Sequence, residues 1–212
     1  MTPLAVLVLS LAAAGCHRTE ERAVQADDAE DPLAPVADVP AFSLTSHRGA
    51  PFGLAELRGK VSVVNFVFTS CRDVCPMLSA HMQEIAGHYA GNDDVQFVSI
   101  SVDPQTDTPA VLAAYAARFG GDARWHFLTG DAGAVRTVVV DGFKMALERV
   151  APPSGGGVAE GGGPPPAPGP SSILHGERFV IVDREGRIRA FPDPKEPGKA
   201  SLYAAVDALR AH

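Results

Sequence analysis

Residues 61–76 read VSVVNFVFTSCRDVCP, and this stretch decides the fold. From Val61 to Phe68 it is a nearly unbroken run of β-branched and aromatic side chains, the pattern of a strand buried on both faces. Past Pro76 the period changes. Leu78, Met82, Ile85 and Tyr89 recur at spacings of four, three and four, which is one face of an α-helix. Cys71 and Cys75 therefore stand where a buried strand hands over to the first long helix, at the sheet edge where open α/β folds place their ligands. A helix beginning here sets the two cysteines on one face, roughly 6 Å apart along the axis. Alpha-carbons at that separation can be bridged by a disulfide, and the same spacing turns two thiolates toward one metal ion. The N–H groups and dipole of a helix start lower thiol pKa, which favours redox and metal chemistry alike.

Outward from that stretch the chain alternates. Ala41–Leu44 and Pro51–Leu54 read as a hairpin around Ser46–Gly49, and Val95–Val102 (VQFVSISV) as a second buried strand. Thr108-Pro109 opens a helix as cap and first position, Leu112, Tyr115, Ala116 and Phe119 line its inner face, and Gly120-Gly121 stops it. Trp125–Leu128 reads as a strand, Ala132–Val140 as a helix, Phe179–Asp183 with Arg187–Phe191 as a hairpin, and Ser201–Arg210 as a last helix. Alternating strands and helices demand right-handed crossovers and a largely parallel centre, with the late hairpin adding antiparallel strands. The expected fold is a thioredoxin-like α/β sandwich: a central mixed sheet flanked by helices, with an N-terminal hairpin and a Gly/Pro-rich insertion.

The 212 residues allow one globular domain with extensions, and three cysteines rule out a disulfide-dense miniprotein. Residues 1–15, MTPLAVLVLSLAAAG, carry no charge and hold an apolar run too short to span a bilayer, which reads as a signal peptide. The run ends in small residues before Cys16 and resembles a bacterial lipoprotein signal, which implies lipidation of Cys16 and an anchored, extracytoplasmic domain in the cell envelope. Residues 16–36 read as a flexible acidic tether. Six acidic and two basic groups there hold most of the net charge of −7, and no basic stripe points to nucleic acid. The domain proper is expected over 37–212. Within it, residues 151–170 contain seven Gly and seven Pro, so they form neither helix interior nor central strand, and they have no Cys, His, Met or aromatic side chain for chemistry.

C-x-x-x-C differs from the C-x-x-C of disulfide oxidoreductases and the C-x-x-C-H of haem attachment, and no second cysteine pair completes a structural zinc site. A metal held by the two sulfurs needs a third donor. An inert or core pair is the plainer alternative, although such pairs usually lie inside elements and not at a strand-to-helix junction.

These residues resemble the Sco (SenC) family, extracytoplasmic copper-binding proteins of thioredoxin fold that assist assembly of the CuA centre of cytochrome c oxidase. The resemblance rests on VNFVFTSCRDVCP, on SVDPQTDTPAVLAAYAARF and on WHFLTG, and covers roughly Val36 to Leu209. It implies a copper site of Cys71, Cys75 and His175, the histidine lying just before the late hairpin in ILHGERFV. Two thiolates and an imidazole make a soft set suited to Cu(I), with Cu(II) held when further ligands join. It also implies a CuA-bearing oxidase subunit or similar cuproprotein as partner, a monomeric protein, and delivery of copper as the function. The same resemblance supports a redox-active Cys71/Cys75 pair that keeps the CuA cysteines reduced. Peroxide reduction fits less well, because Ser70 precedes Cys71 and Phe68 holds the position of a peroxidase threonine. In the family the segment before the histidine is usually short, whereas here it is Gly/Pro-rich.

The remaining polar candidates have plainer readings. His47, His81, His88 and His212 are expected in solvent, His17 in the tether and His126 as a satisfied buried imidazole. Asp73 reads as a helix-start carboxylate, and Asp103 and Asp107 as turn and cap residues.

Overall fold

The computed structural model describes residues 31, 33–72, 74–150, 172–175, 177–195 and 198–211. The signal peptide, Cys16, His17, most of the tether, Asp73, the 151–170 insertion and His212 lie outside the described residues. The chain divides after Asp31, and every element of secondary structure belongs to the unit Pro32–His212. No helix among the described residues is long and apolar enough to cross a membrane.

The elements run β1 (Ala37–Asp38), β2 (Ser43–Ser46), β3 (Pro51–Gly53), α1 (Leu54–Leu57), β4 (Val61–Val67), α2 (Val74–His88), β5 (Val95–Ser101), α3 (Pro109–Ala117), β6 (Trp125–Thr129), α4 (Ala132–Arg136), β7 (Leu147–Val150), β8 (Ser172–His175), β9 (Val180–Val182), β10 (Arg187–Ala190) and α5 (Gly198–Arg210). Eight strands form one mixed sheet in the order β1-β10-β9-β4-β5-β6-β2-β3. At its centre β4, β5 and β6 are parallel, and the other neighbours pair antiparallel. All seven residues of β4 and of β5 are buried, as their unbroken apolar runs require. Val61 and Val63 face one core with α2, α3 and α5; Val64 and Phe66 face the other with α1 and α4. The expected sandwich is thus present.

Helix α2 buries Leu78, Met82 and Ile85, and Tyr89 just beyond it, as the 4-3-4 spacing predicts. Burying each such side chain contributes about 1.5–3 kcal/mol. The Thr108 cap accepts from the Val111 N–H at 3.3 Å with Pro109 behind it, and Gly120 and Gly121 take φ of 87° and 63° beyond the helix end. Three features differ from the sequence reading. The first hairpin pairs Ser43 with Gly53, so β2 runs on to Ser46. Helix α4 ends at Arg136 and passes into a π-helical turn over Thr137–Gly142. Lastly β7 and β8 form a separate two-stranded ribbon, with Val150 opposite Ser172 and Leu147 opposite His175, so the Gly/Pro-rich residues connect the two strands of a hairpin.

Candidate metal centre

Strand β4 stops at Val67, and the chain turns through Phe68–Arg72 before α2 begins at Val74. Cys75 lies in the first turn of α2 and is fully buried; Cys71 lies in the preceding loop and is partly exposed. No disulfide joins them. The expectation of two cysteines on one helix face is corrected here, since Cys71 is not helical. The Cys71 N–H donates to the Phe68 carbonyl at 3.2 Å, and the Cys75 N–H donates to Cys71 Sγ at 3.4 Å. One of the unpaired amides of a helix start is thereby spent on sulfur, and this bond brings the pair together.

The electrostatics also differ from the sequence reading. Burial pushes the Cys75 thiol well above the ordinary thiol range; a hydrogen bond from the Phe68 backbone works against this, and Cys71 and Asp107 push it further up. The enclosed sulfur outweighs the helix start. Cys75 is a protonated thiol at neutral pH, and either metal loading or oxidation must displace its proton.

Asp107 is the site residue that the sequence reading missed. It is fully buried and is not a cap, that role belonging to Thr108. Its carboxylate accepts from the Thr69 N–H at 3.1 Å, from Thr69 Oγ1 at 2.5 Å and from Ser101 Oγ at 2.6 Å. A charged acceptor on β5's exit loop thus holds the residue two before Cys71. Asp103 keeps its turn role, its carbonyl accepting from the Thr106 and Asp107 amides. The one sequence signal for the Asp107–Thr69 contact is that both residues leave strands buried on both faces.

His175 is the last residue of β8, and its backbone pairs with Leu147. Strand β9 runs antiparallel to β4 with Val180 opposite Val64, which directs the residues before Val180 toward the sheet end from which Cys71 emerges. Among residues whose side chains are described, no group of three His, Cys, Asp or Glu converges as a metal cluster. The two thiols are therefore the described part of the donor set that the sequence leads one to expect. As a soft pair with no disulfide between them they fit Cu(I), and they equally fit a two-electron dithiol couple.

The other histidines divide. His47 is not solvated as expected: it is half-buried, its Nδ1 accepts from the Phe127 N–H at 3.1 Å, and burial with Arg48 beside it lowers its pKa. His126 is partly buried, in contact with the Phe52 ring and bonded to Arg48. His88 is exposed against Tyr203, and His81 is partly buried with a buried Nδ1 that lacks a partner among the described residues.

Comparison with known proteins bears on the family and the fold. Three solved structures superpose over most of the chain. The SCO1/SenC family lipoprotein of Bacillus anthracis str. Ames is 29% identical, with a TM-score of 0.67 over 84% of this chain and 98% of that one. Bradyrhizobium japonicum ScoI, solved with copper bound, is 26% identical, with a TM-score of 0.65 over 82% and 99%. BsSco, a member of the Sco family of cytochrome c oxidase assembly proteins with a disulfide switch, is 26% identical, with a TM-score of 0.65 over 84% and 97%. The family model of SCO1/SenC matches residues 31–210, and the chain belongs to the SCO1/SenC family.

Proposed function

We propose that this protein is an extracytoplasmic copper chaperone that holds one copper ion through Cys71, Cys75 and His175 and passes it by ligand exchange to the CuA subunit of cytochrome c oxidase. The observation that carries this reading is the pair of cysteines, not joined by a disulfide, at the carboxyl end of β4, one sulfur partly exposed for entry and one enclosed. Copper bound in a relative that superposes over most of the chain supports it. A lipid anchor on Cys16 would hold the monomer at the outer face of the membrane, as the lipoprotein among the relatives suggests.

Titration of the reduced protein with Cu(I) against a competing chelator tests the centre. One ion per chain is expected, with weaker binding after His175→Ala. Unchanged affinity and stoichiometry in that variant would remove histidine from the ligand set.

A second reading has its own support. The Cys75 N–H to Cys71 Sγ contact keeps two thiols adjacent, and a relative is described by its disulfide switch. In this role the dithiol closes to a disulfide, and two electrons and two protons pass to an oxidised CuA cysteine pair. Reduction of such a peptide by protein that binds no copper would favour it.

A further inference from the structure

At the other end of β4, about 20 Å from the cysteine loop at 3.3 Å per residue, lies a cavity of about 330 Å³. Its chemistry-bearing walls are Arg48 from the β2–β3 turn, Glu56 from α1, Lys60 ahead of β4, Gln96 from β5 and His126 from β6. Arg48 is fixed in place: Nη1 bonds His126 Nδ1 at 3.2 Å, and Nη2 donates to the carbonyls of Asp122 and Trp125 at 3.2 and 3.3 Å. A guanidinium only donates, so His126 Nδ1 accepts and the ring proton sits on Nε2, leaving that N–H for a ligand. Among the described residues neither Arg48 nor Lys60 has an ion-pair partner. The one wall carboxylate, Glu56, has Oε2 engaged by the Gly53 N–H at 2.6 Å, and the Gln96 amide donates to Glu56 O and Ser62 Oγ.

We propose that this cavity is a binding site for a small divalent oxyanion, held by Arg48, Lys60 and the Nε2–H of His126. These three groups are all donors, and two carry positive charge in a chain whose net charge is −7. An oxyanion offers only acceptors, which suits the Lys60 ammonium, the Nε2–H of His126 and the two guanidinium N–H groups that the three Arg48 bonds leave over. The wall carries one net positive charge with His126 neutral. Burial first, then Arg48, His47 and Lys60, press His126 down to about 4, with Asp122 opposing. From neutral pH to about pH 5 the ring is neutral, its Nδ1 keeps the Arg48 bond and its Nε2–H stays a donor, so affinity holds level across that range, with Arg48, Lys60, His47, Asp122 and Glu56 as the surrounding charges.

Sulfate is the probe of choice, because it remains dianionic through this range and any pH effect belongs to the protein. Titrated into the full chain against chloride at equal ionic strength, it is expected to give saturable ¹⁵N–¹H shifts at Arg48, Lys60 and His126. Binding should weaken about ten-fold in Lys60→Ala, be retained in Lys60→Arg, and hold level from neutral pH to about pH 5. The Lys60 side chain makes no hydrogen bond or ion pair among the described residues, so its loss leaves the domain intact. Displacement of sulfate by inorganic phosphate, against sulfate-competed binding to phosphatidic acid vesicles, separates a free ion from a phosphomonoester lipid headgroup as the source; either result keeps the site. Shifts that match chloride or that ignore Lys60→Ala overturn it.

Discussion

Replacing Asp107 by alanine should loosen the cysteine loop more than any other single change away from the cysteines. The substitution strands three donors, the part-buried Thr69 N–H and Thr69 Oγ1 and the buried Ser101 Oγ. The hydroxyls can turn to other acceptors, but the amide cannot. Unsatisfied buried groups cost about 1–3 kcal/mol each, so a loss of about 3–5 kcal/mol is expected for the network. In a domain of this size each kcal/mol lowers Tm by about 2–4 °C, so Tm should fall by about 10 °C while the domain stays folded at room temperature. Asp107→Asn keeps one acceptor oxygen and the shape, and should cost about 1–2 kcal/mol. Both variants remove a negative charge that pushes the Cys75 thiol up, so Cys75 should alkylate faster at a given pH, and Cu(I) affinity should fall as Thr69 and Cys71 lose their anchor. Calorimetry, timed alkylation and chelator competition read these separately. An alanine variant with unchanged Tm and unchanged copper affinity would refute the anchoring role, since those three donors would then need no carboxylate.

At neutral pH a small alkylating reagent should label Cys71 well before Cys75, because the second sulfur is enclosed and protonated; equal labelling by peptide mass spectrometry would contradict that enclosure. Burial works against ionisation of Asp183, but hydrogen bonds from Arg189, the Arg187 N–H and the Arg187 side chain outweigh it and hold its carboxyl below the usual range. A lowered carboxyl stabilises the fold fully above the unfolded value of about 4 and stops doing so as pH falls through the folded one. Tm should therefore drop steeply in acid, and Asp183→Asn should flatten that drop while costing stability at neutral pH. Replacing residues 151–171 by Asn-Gly should leave Tm and copper binding close to the parent, because Val150 and Ser172 already face each other and a two-residue turn closes such a pair.

The parts legible in the sequence are those set by local period and local caps. Leu78 to Tyr89, Thr108-Pro109 and Gly120-Gly121 each state their role within a few residues, and the structure agrees with them. The ribbon of β7 and β8 was not legible, because each strand has four residues and its partner lies across a stretch with no period at all. Asp107 was hidden for a related reason. An aspartate just before a Thr-Pro helix start looks like a cap, and only the pairing of Val67 with Ser101 shows that its carboxylate meets Thr69. The rise in the Cys75 pKa likewise depends on how much protein closes over the helix start, a quantity that motif spacing does not carry.

The ribbon bears on how cargo could leave. Cys71 and Cys75 are carried by the junction of a fully buried strand with a long packed helix. His175 is carried by a two-stranded ribbon outside the main sheet, tied at its base by Leu147 and by the Arg136 bond to the Leu147 carbonyl. An isolated two-stranded hairpin is marginally stable in water, so this support opens at far lower cost than the cysteine loop. In the copper site proposed above, that difference would set an order of release: the histidine arm would come off first, and the two sulfurs would keep the ion until a recipient's ligand arrives.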